Sequence, residues 1–471
     1  MDRSVPPPAQ ASYHRRVLAL GAILFLAFPS CSGEAPPPHV VIWMVDTLRA
    51  DHLGCYGYPR PTTPVMDKLA EDGVLFSDLH VHSNWTQPSV ASLMSGRFPP
   101  LFSEDFQTRC PDDFVMAAEW FSQYGWETAG FTSTVATAHR FGFAQGFETY
   151  EELDLLEAGR DRKFREGSSW DADGLVDEAI SWLDWREKRT TEETRPFFLF
   201  LHSVDPHVPY ERHEGMATFT RAYEGALDGK ADTLHKAKGE DRVFSPEDIR
   251  HLTDLYDDEV AFNDAQLGRL LDALAEKGLT ENTLVVVLSD HGEEVWDQAS
   301  HGHGPRKLPR ELTHVPWIMK WPAGLSGGHR VEGLVRGIDV LPTLLDLTGL
   351  PPLPDAVGGS LADVARGEVQ QPPEATLMAD RAKNARDFMA LRTRDLLYLS
   401  DPDGIRTALF RLTPEGEQPL DLLKEGAALA VPLETTLQEW RDSRAPPGST
   451  VEMDAVTEQG LRELGYLGDG G

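Results

Sequence analysis

The stretch HVVIWMVD, His39 to Asp46, is a near-continuous apolar run that ends in a carboxylate. A strand with one wet face alternates apolar and polar residues; this one does not, so it reads as a strand buried on both faces. Similar runs follow at ETAGFTS (Glu127 to Ser133), PFFLFLH (Pro196 to His202), TLVVVLSDH (Thr283 to His291) and HVPWIMKW (His314 to Trp321). Helical patterns lie between them. The longest starts with Ser245 as N-cap, Pro246 at the first position and Asp248 in the first turn. It carries Leu252, Leu255, Val260, Leu267, Leu270 and Leu274 in one stripe before Gly278. A shorter helix, Leu175 to Arg186, places Val176, Ala179, Ile180 and Leu183 on one face. Strands alternating with helices predict an α/β fold: a doubly wound, mainly parallel sheet with helices on both faces.

In such sheets ligands gather at the carboxyl ends of the strands. Asp46 and the pair Asp290 and His291 fall there, and His202, Asp205 and His207 follow another strand end. A change of composition at EVQQPPEA, Glu368 to Ala375, closes the large domain, residues 39–367. A small C-terminal α+β subdomain is expected over 374–443, where FMALRTRDLLYLS alternates like half-buried strands, and RAPPGS then links to a helical tail over 450–471.

With 44 Lys and Arg against 76 Asp and Glu, the chain has a formal charge of −32. That excludes nucleic acid as a partner, and adhesion to anionic lipid by charge. The N-terminus speaks of export instead. His14, Arg15 and Arg16 precede the apolar run VLALGAILFLAF, Val17 to Phe28, which is too short to span a bilayer and fits a secretory signal over residues 1–30. Cys31, which opens a proline-rich spacer over 31–38, resembles the lipidated cysteine of bacterial lipoproteins, although Phe28 and Pro29 depart from the small residues usual there. The resemblance implies an exported protein of the bacterial cell envelope. It would be tethered by lipid at Cys31 to the outer membrane or facing the periplasm, with an ordinary signal peptide or a short membrane anchor as the other readings. Cys55 and Cys110 remain, free or paired.

The segment NWTQPSVASLMSGRF, Asn84 to Phe98, opens a helix at Thr-Gln-Pro-Ser and closes it at Ser-Gly. A threonine before proline at a helix start is commonly a cap. If Asp46, Asp290 and His291 converge on Thr86, however, two carboxylates and an imidazole form a divalent-metal set, and a hydroxyl beside it becomes a nucleophile. The helix N-terminus would then favour the anionic oxygen of an ester.

Taken in order, VDTLRADHLGCYGYPRPTTPVMDKLAEDGVLF (Val45 to Phe76), WTQPSVASLMSGR (Trp85 to Arg97), PFFLFLHSVDPHVPY (Pro196 to Tyr210), YDDEVAFNDAQLGRLLDAL (Tyr256 to Leu274), LSDHGEE (Leu288 to Glu294), HGHG (His301 to Gly304) and ELTHVP (Glu311 to Pro316) resemble the sulfatase branch of the alkaline phosphatase superfamily. The resemblance implies that Asp46, Thr86, Asp290 and His291 hold one divalent metal ion. An imidazole among the ligands favours zinc or manganese, with calcium open. It implies that His207 and His303 contact the ester oxygens and protonate the leaving group, with His301 the other candidate of its pair. Arg49 would support the site from behind, and Lys307 lies near a substrate-contacting position. Sulfatases carry Cys-x-Pro-Ser-Arg where this chain has Thr86, Gln87, Pro88, Ser89 and Val90, and formylglycine cannot form from threonine. The expectation is therefore a metal-dependent hydrolase of phosphate or sulfate esters, acting on a small-molecule or cell-envelope substrate. The other readings are a phosphotransferase on an envelope lipid or glycan, and a sulfatase-like binding module without activity.

Overall fold

The computed structural model describes residues 36–103, 106–152, 171–189, 195–210, 213, 216, 218–230, 233–234, 244–296, 301–303, 308–380, 388–401, 407–413, 416–421 and 426–464. The signal segment, Cys31 and Lys307 lie outside the described residues. Every element below lies in the compact unit Pro37–Gly471.

The strands are β1 (His39–Val45), β2 (Val74–His80), β3 (Glu127–Thr132), β4 (Thr149–Glu152), β5 (Phe197–Ser203), β6 (Thr283–Ser289), β7 (Glu294–Val295), β8 (His301–Gly302), β9 (His314–Lys320) and β10 (His329–Arg336). Eight of them form one sheet in the order β10-β2-β9-β6-β1-β5-β3-β4. All pair in parallel except β9, which runs against both β2 and β6. The apolar content of β9 matches that of its parallel neighbours, so its direction was not legible. Burial on both faces selects the same residues either way.

β1 shows how the sheet divides the core. Val40, Ile42 and Met44 enter one hydrophobic cluster, and Val41, Trp43 and Val45 the other. Under the first lie the helices Thr86–Ser95 and Val340–Leu347; under the second lie Ala172–Lys188 and the long helix Pro246–Glu276. The long helix starts as its sequence predicts: the Ser245 hydroxyl accepts from Asp248 N–H, and the Asp248 carboxylate accepts from Ser245 N–H.

A second sheet, antiparallel throughout, is built from β11 (Leu377–Asp380), β12 (Met389–Arg392), β13 (Leu396–Ser400), β14 (Thr407–Thr413) and β15 (Gly416–Pro419) in chain order. Leu437 and Trp440 of the helix Gly426–Asp442 cover one face, against Met389, Leu391, Tyr398 and Leu409. The other face puts Leu377, Ala379, Ala390 and Leu397 against Leu334 of β10. A buried ion pair, Arg444 to Asp380 at 2.7 Å, joins this sheet to the segment that follows the helix. A further helix, Ala455–Glu463, lies in the tail. Cys55 and Cys110 are both free thiols.

Candidate active site

Register decides which carboxylates meet. Val45, the last residue of β1, pairs with Ser203 of β5 and Ser289 of β6, so Asp46 and Asp290 leave adjacent strands at the same level. The helix Thr86–Ser95 points its N-terminus at them. All ten of its residues are buried, and Gly96 ends it in the left-handed region at φ 66°. Trp85, not Thr86, occupies the N-cap, which leaves Thr86 at the first helical position.

Thr86 Oγ1 lies 3.4 Å from His291 Nε2, which is 3.7 Å from Asp46 Oδ1 and 3.5 Å from Asp290 Oδ2. Charge-assisted hydrogen bonds are shorter, about 2.7–2.9 Å. The spacing matches donors that share one ion, since bonds of about 2.0–2.1 Å in a tetrahedral shell separate ligand atoms by about 3.4 Å. His291 Nδ1 donates to the Gly292 carbonyl at 2.9 Å, which leaves the lone pair of a neutral ring on Nε2, facing the cluster. Neither oxygen of Asp46, nor Asp290 Oδ2, has a hydrogen bond of ordinary geometry, and all three are buried. Burial, then Asp290 and Glu293, push the Asp46 pKa well up, with the Thr86 hydroxyl alone among the strongest influences working against it. Two buried carboxylates side by side need a positive charge. The residues present fit a divalent cation.

The surroundings hold this group from the main chain. Asp290 Oδ1 accepts the N–H groups of Thr47 at 3.2 Å and His291 at 2.8 Å. Ser289 Oγ accepts Leu48 N–H and donates to the His291 carbonyl; Ser89 Oγ, one turn into the helix, donates to the Asp290 carbonyl. Tyr256 of the long helix donates to the Thr47 carbonyl at 2.7 Å and accepts Arg49 N–H at 3.0 Å. Thr47 sits at φ 59°, strained for a β-branched residue. None of these four supporting residues was given this role from the sequence, although Thr47, Ser89, Tyr256 and Ser289 all lie in the segments that carry the family resemblance.

A second group stands beside the first: His207, Glu293 and His303, with ligand atoms all within 4.8 Å of one another. The His303 ring centre is 4.6 Å from that of His291 and 5.1 Å from that of His207. Burial, then His303, push the His207 pKa down to about 4, so the ring is neutral near pH 7. His301 reaches the Tyr210 hydroxyl, 3.3 Å from its Nε2. Arg49 pairs with Asp51 and donates to the Glu293 main-chain oxygen at 3.1 Å. Asp205 accepts Ala172 N–H at the head of the helix Ala172–Lys188.

The sulfatase family profile matches residues 38–350. The chain belongs to the sulfatase family. Within this family of ester hydrolases it is similar to the delta 4,5-hexuronate-2-O-sulfatase of Bacteroides thetaiotaomicron, 27% identical over 365 residues that cover 71% of this chain and 73% of the relative. It is also similar to human arylsulfatase A, 26% identical over 400 residues, 75% of this chain and 72% of that one. The phosphonate monoester hydrolase of Agrobacterium radiobacter shares the fold, with a TM-score of 0.65 at 20% identity, over 86% of this chain and 95% of that chain. No helix among the described residues of this sulfatase-family chain is long and apolar enough to cross a membrane.

Proposed function

We propose that this sulfatase-family chain is a metal-dependent hydrolase of phosphate, phosphonate or sulfate esters with Thr86 as its nucleophile. One observation carries the reading. Thr86 Oγ1 stands 3.4 Å from His291 Nε2, at the first position of a buried helix that faces Asp46 and Asp290. Asp46, Asp290 and His291, with Thr86, would hold one divalent cation, zinc or manganese ahead of calcium, which would supply charge that acidifies the hydroxyl and offsets that of the ester. Thr86 loses its proton to solvent, and its oxygen bonds to phosphorus or sulfur as the bond to the leaving oxygen breaks. His303 gives that oxygen its proton. His207, neutral with its lone pair on Nε2, orients the ester. Water then attacks the threonyl ester, His303 takes the water proton, and Thr86 recovers its own.

The relatives named above act on sulfate and phosphonate esters, which supports this substrate class. Threonine at the formylglycine position motivates a route without that aldehyde. A signal over residues 1–30 and a lipid on Cys31 would place the enzyme in the bacterial envelope, beside small-molecule or envelope esters. Loss of labelled palmitate incorporation in Cys31→Ser checks the anchor.

The test loads the full chain in turn with zinc, manganese and calcium and offers aryl sulfate, phosphomonoester, phosphodiester and phosphonate esters, with Thr86→Ala alongside. Turnover that the variant loses supports the threonine route. Turnover that survives in Thr86→Ala sinks it, and silence with every ester and metal points to a transferase or a binding module.

A further inference from the structure

The helix Thr86–Ser95 is gripped at both ends by the C-terminal part of the chain. At its entry, His82 meets the end of β11: the His82 carbonyl accepts Asp380 N–H at 3.1 Å, and His82 Nδ1 donates to the Met378 carbonyl at 2.6 Å. At its exit, just past Gly96, the Pro99 carbonyl accepts from Arg444 Nε at 2.6 Å, and Leu101 N–H donates to the Ala445 carbonyl at 3.1 Å. The ring of Phe98 packs edge to face between the two, its centre 5.3 Å from that of His82 and 5.8 Å from that of Trp440. The guanidinium that holds Pro99 also donates from Nη1 to Asp380 Oδ2 at 2.7 Å, so one ion pair joins entry to exit.

That pair is costly to bury. Its side chains are 1% and 4% exposed, and Asp380 Oδ1 and Arg444 Nη2 have no hydrogen-bond partner among the described residues. Desolvating two charges commonly cancels what their contact returns, and apolar side chains of similar volume hold a fold as well or better. Stability therefore does not account for the pair, but geometry does. A planar guanidinium bonded to Pro99 and Asp380 at once fixes the separation of two chain segments, where apolar side chains would let them slide. Thr86 needs such fixing: its hydroxyl stands 3.4 Å from His291 Nε2, and a misplacement of about 1 Å costs a reaction roughly 10²-fold. We propose that Arg444 and Asp380 are positioning residues for Thr86, which with His82 set where its helix lies against Asp46 and Asp290. The catalytic meaning of this grip rests on the Thr86 reading; the grip itself does not.

The experiment separates position from stability. The full chain is compared with the double variant Arg444→Met with Asp380→Leu, which replaces the pair by apolar side chains, and with His82→Leu, which cuts the entry tie alone. Hydrogen–deuterium exchange is followed by mass spectrometry over Asn84 to Phe98, with β1 as the control, beside melting temperature and ester turnover. In the double variant, exchange over Asn84 to Phe98 should rise ~10-fold while β1 and the melting temperature hold. The same variant should lose about 10²-fold in kcat at unchanged KM. His82→Leu should raise exchange over the same stretch, which keeps the test alive if the double variant fails to fold. Unchanged exchange in the folded variants overturns the proposal. So does exchange raised equally in β1 with a lower melting temperature, the mark of a merely structural pair, and so does raised exchange with kcat intact. A wild type silent on every ester, or Thr86→Ala that keeps its turnover, would sink the nucleophile instead and leave the exchange to decide the grip.

Discussion

The two donor groups stand side by side but are held by different means. Asp46 and Asp290 leave the ends of neighbouring strands, Thr86 begins a buried helix, and main-chain N–H groups from Thr47 and His291 fix the Asp290 carboxylate. His207 lies on the loop after β5, while Glu293 and His303 flank a two-strand hairpin in which Glu294 pairs with Gly302 and Val295 with His301. The first group inherits the stiffness of the sheet. The second depends on a small hairpin, so disturbing one should leave the other largely intact.

The largest effect is expected at the sheet end. Asp290→Ala removes a donor and the acceptor of two main-chain N–H groups, so ester turnover should fall by ~10³-fold or more, with loss of the metal; steady-state rates and metal content test this. Tyr256→Phe deletes the hydroxyl that ties Thr47 and Arg49 to the long helix. First-group zinc affinity should weaken roughly 10-fold to 100-fold, as for other groups that orient ligands. Competition with a chelator reads it, and an unchanged affinity would break the comparison.

Gly302 sits at φ 81° in the hairpin. Gly302→Ala carries a left-handed penalty of roughly 1–2 kcal/mol that should shift His303, so ester turnover should fall about 10-fold while metal affinity at the Asp46 group is unchanged.

Away from both groups the expected change in turnover and metal affinity is the smallest, and the effect falls on stability instead. Burial pushes the pKa of His82 down to about 3 and of His314 to about 4. A histidine lowered in the folded state binds its proton more readily unfolded, so stability is whole above about pH 6.5 and falls as pH drops toward 4. Each histidine costs at most about 1.4 kcal/mol for every pH unit crossed in that window. Melting temperature should decline through it with or without metal, and a flat profile would contradict this.

Much of the candidate site was legible because strand ends are legible. An apolar run that stops at Asp46 or at Asp290 and His291 announces both the strand and the residue beyond it. The Thr86 helix was readable from its proline and its Ser-Gly stop, yet Thr86 proved to be the first helical residue, not the cap. Glu293 was missed because LSDHGEE contains two adjacent glutamates, both buried, and nothing local says which one turns toward His303. β2 was missed because Ser77 and Asp78 interrupt VLFSDLH, and β10 because Gly333 and polar residues break HRVEGLVR.

The sequence by itself determined a sheet buried on both faces, the helices that cover it and the carboxylates at its strand ends, because burial and periodicity are written residue by residue. Only the tertiary structure decided that β9 runs backwards, that Glu293 joins His207 and His303, and that Tyr256 supports the turn after Asp46. Those facts depend on strand register and on distant chain segments meeting, and no local pattern of side chains encodes such meetings.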